Sequence, residues 1–486
     1  MLYSKNRMKL RSLFSISIAT ALCCILSLDG FAQSTRSSYF MKTSYTRTSL
    51  NAALRPDQGY IGVPLLSNIY LDARTNTFNL ENLTFPLNGE RVTFMHSQIP
   101  ASKALSNISD DNYVTTNLAF SIMSAGFYRG DSYWNFDFGI RANADSNVPK
   151  SVFELLKVGF DENETVTHDL SNVSLAGSVF AEIGVTNSRT FLNNSLTLGA
   201  RGKLLLGISY VDLDAESLNI TAGSEFWRAK SRVTLKGAGP GIKGKYDENE
   251  YDPTKQDFDG FNFGDFNIPG YGLGIDIGAV YDFKDAPVGF LRKLKVSYAL
   301  NDLGFISWSK GNFIQLSSPE TEVIVSPNDY STHNDGSTSI IDIFDHALDD
   351  LRQAVNLHED PRTSGYTATL RANMNVGLEY EVWDDKMTAG FLYSTRFGNY
   401  FTTKEFTLSA NYTPKEWLAA SFSYSLAYSA FKTFGLAVHI APSRGINFFL
   451  ASDYSIVRIS PQWMPTSTKA INVQMGVSIP FGGRRP

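Results

Sequence analysis

Six histidines, His96, His168, His333, His346, His358 and His439, are the first residues to test for chemistry in this chain. No two of them have a metal-ligand spacing such as His-x-x-x-His, and no nucleophile motif accompanies any of them. Both cysteines, Cys23 and Cys24, fall in an N-terminal apolar run, so the chain beyond it has no thiol, disulfide or cysteine–metal chemistry. The stretch Asp247-Glu248-Asn249-Glu250 to Asp257-Phe258-Asp259-Gly260 offers oxygen ligands for calcium. It lacks the calcium-loop spacing and reads as a solvated surface loop. Gly270, Gly272, Gly274 and Gly278 invite a phosphate-loop reading, but a dinucleotide fingerprint needs a helix after it. Here Tyr271, Leu273, Ile275, Ile277, Ala279 and Tyr281 simply alternate with small residues. The expectation is a protein that is not an enzyme and has no cofactor and no metal.

What remains is a set of charges on the polar faces of two-faced segments: Arg141, Glu182, Arg201, Lys203, Arg228, Asp276, Arg371 and Glu379. Out of water, charges of both signs are tolerable only when paired or wet. They are therefore expected to tie strand to strand, or wall to an inner segment, with a ligand path as the other reading. Asn51 and Pro56 are the candidate contacts on that inner segment, Asp276 a candidate anchor for it, and His439 a polar lining residue.

Strands must position these charges. From Ala470 to Phe481, Ile471, Val473, Met475, Val477, Ile479 and Phe481 alternate with Asn472, Gln474, Gly476, Ser478 and Pro480. Successive side chains of a strand point to opposite faces, so the segment has one apolar face and one polar or small one. The same pattern runs over Tyr366–Trp383, with Ala368, Leu370, Met374 and Leu378 on one face and Thr369, Arg371, Asn375 and Glu379 on the other. About fourteen such strands, joined alternately by tight turns and long loops, predict an all-β fold: a transmembrane antiparallel β-barrel with lipid on its apolar face and a polar lumen. One of the fourteen is read over Glu216–Lys236. Counting back from the C-terminus places every long loop outside except 144–172, whose helix over Pro149–Gly159 lands on the periplasmic side. Ile340–Leu357 reads as a second, loop-borne helix.

Residues 1–32 have the order of a cleavable leader: basic Lys5, Arg7, Lys9 and Arg11, an apolar run from Leu13 to Leu28, then Gly30-Phe31-Ala32. Residues 33–112 come before the regular strands. They are too apolar to be a free tail, and Pro64 interrupts their best strand, so they are expected to form an N-terminal hatch or plug at the periplasmic end of the lumen. Residues 113–486 form the barrel. The chain carries a formal net charge of −5, and losing the leader makes it more acidic. An acidic exported protein is no nucleic-acid binder. These features place the protein in the outer membrane of a Gram-negative bacterium.

The leader, the Asn51–Pro56 segment, Gly270-Tyr271-Gly272-Leu273-Gly274-Ile275-Asp276-Ile277-Gly278 and Asn301-Asp302-Leu303-Gly304-Phe305-Ile306-Ser307-Trp308 together resemble an exported Bacteroidota family, domain of unknown function 5723. The resemblance covers essentially the whole mature chain. Its motifs are glycine-spaced strands, which imply a fold and no particular activity. More distantly the architecture is similar to the long-chain fatty acid (FadL-like) channels and the secretion-associated (PorV-like) barrels. The first resemblance implies passage of a small hydrophobic solute past a hatch. The second implies a scaffold that docks a secreted protein partner, and outer-membrane lipid surrounds the barrel in both. The hatch of the fatty acid channels often carries Asn-Pro-Ala, where this chain has Asn51-Ala52-Ala53.

Overall fold

The computed structural model describes residues 34–158, 165–222, 227–248, 256–265, 267–318, 323–325, 357–362, 364–383, 386–398, 400–427, 431–442, 445–454 and 467–483. Segments that alternate apolar and polar residues must lie between two environments, and here they close into one antiparallel barrel of 14 strands. The wall begins with β1, which is in two pieces, Gly59–Gly62 and Ile69–Thr75, and continues with β2 (Asp111–Arg129), β3 (Ser132–Pro149) and β4 (Ser174–Phe191). Next come β5 (Leu196–Ala222), β6 (Gly270–Asp282), β7 (Leu294–Trp308), and β8, again in two pieces, Tyr366–Thr369 and Asn373–Trp383. The last six are β9 (Met387–Phe397), β10 (Thr402–Lys415), β11 (Leu418–Ala427), β12 (Phe431–Ile440), β13 (Asn447–Ser452) and β14 (Ala470–Phe481). Neighbours pair in chain order. β1 closes the ring, with Tyr70 opposite Ala119 of β2 on one side and Gln474 of β14 on the other.

The total of fourteen matches the expectation, but its membership differs in two places. Residues 59–75 are wall, so the barrel does not start at 113; Pro64 only interrupts the strand, and both pieces keep their partners. Conversely, 216–236 is not a separate wall strand. Its first residues finish β5, and Trp227–Ala238 folds back on β5 beyond the ring, where it also pairs with Phe313–Ser317 and Val323–Val325. Counted back from the C-terminus, one wall strand fewer at this point moves every earlier connection to the opposite side. The helix Lys150–Val158 therefore lies with the long loops, and the anomaly at 144–172 disappears.

Short turns such as Gly130–Asp131 and the end of β14 mark one rim, called here the turn end. Residues 76–110, the Lys150–Val158 helix and the connections after β5 and β7 mark the other, the loop end. At the loop end Phe85, Phe94, Ile99, Ala104 and Ile108 pack on Phe153 of that helix, so residues 76–110 belong to the rim rather than to the lumen. The segment 340–357 lies outside the described residues, save for Leu357.

The outer surface is apolar. Leu273, Leu408, Leu436 and Leu450 are each 57–59% exposed, and the residues beside them in sequence face inward. Among the described residues no helix is long and apolar enough to cross a membrane, so the strands make the crossing. β8 shows how strictly the period is kept. Arg371, Asn373, Asn375 and Glu379 are buried in the lumen while Leu378 and Val382 face out. The break at 370–372 shifts the alternation by one, and Tyr366, Ala368 and Leu370 turn inward to pack with Phe180, Leu205, Tyr210, Ile306 and Trp308. Ala368 and Leu370 are thus lumen residues, contrary to an unbroken strand.

Candidate functional site

Residues Ser34–Gln58 run through the barrel. The Thr35 amide donates to Gln474 Oε1 (2.8 Å), and the amides of Arg36 and Ser37 donate to the Asp453 carboxylate (2.8 and 3.0 Å) near the loop end. At the turn end Arg55 donates to the Asp131 carbonyl (3.0 Å) and Gln58 to the Gly482 carbonyl (2.7 Å). The segment therefore fills the length of the lumen, not its periplasmic end alone, and then reverses into β1. We refer to it as the plug.

Two short 3-10 helices, Arg36–Ser38 and Tyr45–Ser49, make the plug compact enough to fit. Met41 packs on Ala419, Ala437, Phe449 and Ala451, and Tyr45 stacks on Tyr60 with centroids 4.2 Å apart. Phe40, Leu50 and Leu54 pack with Leu392 of β9 and Val280 of β6, and the contacts that follow are polar. Tyr39 meets Ser297 (3.0 Å), Thr43 meets His439 Nδ1 (2.8 Å), and the Leu50 carbonyl accepts from both Asn301 and Asn375 (2.9 Å each). Asn51 donates to the Tyr39 hydroxyl and the Tyr298 carbonyl (3.2 Å each) and accepts from the Ala53 amide (2.9 Å). The Pro56 carbonyl accepts from Tyr128. Close approach requires glycine on the wall here: a Cβ on Gly278 would run into Asn51 Oδ1, and one on Gly199 into the Ala52 carbonyl.

Beside the plug, β3 to β7 carry a charge network. Arg141 bridges Glu182 (2.6 Å) and both oxygens of Asp302 (2.8 and 2.9 Å). Arg201 joins Glu182 (2.5 Å) to Asp137, and Lys203 joins Asp276 (2.7 Å) to Asp302 (2.6 Å). Asp302 sits at a bulge with φ of 59°, which turns its amide onto Asp276 Oδ1 (2.7 Å). The structure thus brings together Arg141, Glu182, Arg201, Lys203 and Asp276 from the sequence reading and adds Asp137 and Asp302. Asp276 binds wall residues and does not anchor the plug. Asp302 belongs to the Asn301–Trp308 motif, but sequence alone does not single it out; burial at a bulge is the signal it lacks.

The other candidates separate. Arg371 pairs with Asp145 (2.8 Å) nearer the loop end. Glu379 is buried and interacts electrostatically with Arg47 of the plug. Arg228 stands exposed on Trp227–Ala238, outside the ring, and is not a lumen residue. A second network that the sequence reading missed holds the plug at the loop end. Arg36 contacts Glu405 (3.1 Å) and Asp453 (3.8 Å), Arg74 contacts Asp72 (3.0 Å) and Glu405 (3.6 Å), and Tyr454 donates to Glu405 (3.0 Å).

Cavities of about 80 and 50 Å³ lie between plug and wall, and Arg141 lines both. Charged side chains line both, and each has room for only a few waters. Among the described residues no group of three His, Cys, Asp or Glu side chains is arranged to hold a metal ion.

A closed barrel with an apolar belt, a polar lumen and an internal N-terminal segment defines a plugged transmembrane β-barrel of the outer-membrane type. The chain belongs to the family of unknown function DUF5723, whose model matches residues 52–453. No curated protein matches the chain. Among solved structures it is similar to a FadL homologue of Pseudomonas aeruginosa, at 8% identity over 94% of this chain and 100% of that one, with a TM-score of 0.40. It is also similar to the toluene transporter TodX of Pseudomonas putida, at 9% identity over 93% and 99% of the two chains, with a TM-score of 0.35. At such scores the barrel is read from its own strand pairing.

Proposed function

We propose that the protein is an outer-membrane channel for small solutes, closed at rest by residues 34–58. The observation that carries this reading is how the plug is held. It crosses the whole lumen, and its contacts with the wall are hydrogen bonds, ion pairs, a ring stack and two small apolar clusters, all non-covalent and reversible. A purely structural core would be expected to use apolar packing throughout. The turn end faces the periplasm and the loop end the exterior, as the short turns and long loops imply. One route for a hydrophobic solute runs through the aromatic cluster around Trp308, an apolar part of the lumen that is closely packed at rest.

A second reading, a scaffold that docks a protein partner on its outer loops, draws on the small size of both cavities. One experiment separates the two. Deleting residues 34–58 should raise single-channel conductance in planar bilayers, whereas a disulfide between Ser37→Cys and Asp453→Cys should hold the channel shut until reduced. A scaffold would keep its cellular role with the plug clamped; a channel would lose it.

A further inference from the structure

The 50 Å³ cavity lies on the loop side of the lumen, under the connection between β9 and β10. Its lining is polar: Arg371, Arg396, Asn117, Asn373, Ser394 and Thr403 converge on it. Three carboxylates also line it, and each is held by another cation. Asp72 is paired with Arg74 (3.0 Å), Glu405 with Arg36 (3.1 Å), and Asp302 with Arg141 (2.8 Å) and Lys203 (2.6 Å). Arg371 in turn is paired with Asp145 (2.8 Å). Arg396 differs. Among the described residues no carboxylate lies within ion-pairing distance of it, and its one hydrogen-bond partner is the side-chain carbonyl of Asn117.

A guanidinium has five N–H donors in a planar fork, and Asn117 takes a single one. The Asn117 amide is itself committed to Asp72 (2.8 Å), so it cannot rotate to offer more acceptors. Arg396 stands directly opposite Asn373 in the β8–β9 register, two positions from Arg371 on the same face. Two like charges facing one small polar cavity repel unless an anion lies between them. The cavity has room for roughly three to four waters, the size of an oxyanion group rather than of a whole metabolite.

We infer that Arg396, with Arg371 beside it, binds the carboxylate or phosphate group of a small solute arriving from the loop end. Asn373, Ser394 and Thr403 complete the polar shell. The inference deepens the proposed channel function by naming the class of solute, and in that sense rests on it.

The test is direct binding. Inorganic phosphate and acetate are titrated with the full-length mature protein in nanodiscs, with NMR line broadening of the small anion as the readout. Saturable broadening is expected from the wild type, about tenfold weaker for Arg396→Gln and intermediate for Arg396→Lys, which keeps the charge but loses the fork. Should Arg396→Gln fail to fold, Thr403→Asp places a negative charge in the same shell and should abolish binding. No saturable binding by the wild type, or equal binding by the folded variants, overturns the site. The readout is independent of conductance. Anion binding with no conductance after plug deletion would keep the site and reject the channel, and the converse would keep the channel and reject the site.

Discussion

Arg36 Nε of the plug lies 3.1 Å from Glu405 Oε2 of β10, and Arg74 Nη1 of β1 lies 3.6 Å from the same oxygen. One carboxylate thus serves a partner on the plug and another on the wall. The Glu405 and Arg74 side chains are 3% and 4% exposed with the plug in place. Arg74 would remain to neutralise Glu405 when the plug leaves.

Glu405→Gln should therefore loosen the plug. The Arg36 guanidinium would keep its longer contact to Asp453 (3.8 Å) and its hydrogen bond to the Tyr454 hydroxyl (3.4 Å). Removing one member of a buried pair costs about 3–5 kcal/mol, and the part borne by the plug should appear as more frequent openings in planar bilayers. Heat-modifiable gel migration should be unchanged, because the ring pairing of β10 does not involve this side chain. Closed recordings identical to wild type would show that the contact is no latch.

Gly199→Val should displace the plug by a different route. Its Cβ would collide with the Ala52 carbonyl, a backbone atom that cannot swing aside. Valine suits a strand better than glycine does, so the wall itself should tolerate the change. The expected result is a folded barrel with raised conductance. If the variant stayed closed, the plug would have to be more deformable near Ala52 than its packing implies.

The two faces of β8 should respond differently. Leu378, 40% exposed toward lipid, should cost about 2–4 kcal/mol when replaced by Arg near the bilayer midplane, measured by folding into lipid vesicles. Asn375→Ala removes a donor to the Leu50 carbonyl (2.9 Å) and should leave folding into vesicles nearly unchanged while raising conductance. The opposite order would reverse the faces.

The alternation that separates Leu378 from Asn375 is also what made the fold legible. From Gly270 to Tyr281 and from Ala470 to Phe481 the inward and outward residues are those that a two-residue period assigns. Reading failed wherever the period broke. Pro64 hid a wall strand whose two halves are held by β2 and β14, partners at least 39 and 396 residues away in the chain. The break at 370–372 exchanged faces that a continuous strand would have kept. For the site, polar residues on lumen faces were visible as types, and Arg141, Glu182, Arg201, Lys203 and Asp276 were found that way. Their pairing was not, since it depends on which strands become neighbours. Arg228 shows the limit: it alternates as its lumen counterparts do, but its strand lies beyond the ring. Arg36 and Arg396 gave no signal, one in an irregular plug and the other at the last residues of β9.

The boundary between plug and wall yields the sharpest prediction. The Gln58 side chain bonds to the Gly482 carbonyl and Gly59 already pairs with Phe481, so the change from interior to wall falls between adjacent residues. Deleting 34–58 removes only lumen contents. The fourteen strands remain, and the protein should insert in outer membranes, shift in heat-modifiable migration as wild type does, and conduct. Deleting 59–75 instead removes β1, leaving β2 and β14 as open edges. Unpaired backbone N–H and C=O groups along such a seam cost several kcal/mol each in lipid, and no ring of thirteen antiparallel strands can close without a parallel pair. That variant should fail to insert and should be recovered as aggregate or degraded. If it inserted and conducted while the 34–58 deletion did not fold, residues 34–58 would be required for the barrel and the plug reading would fall.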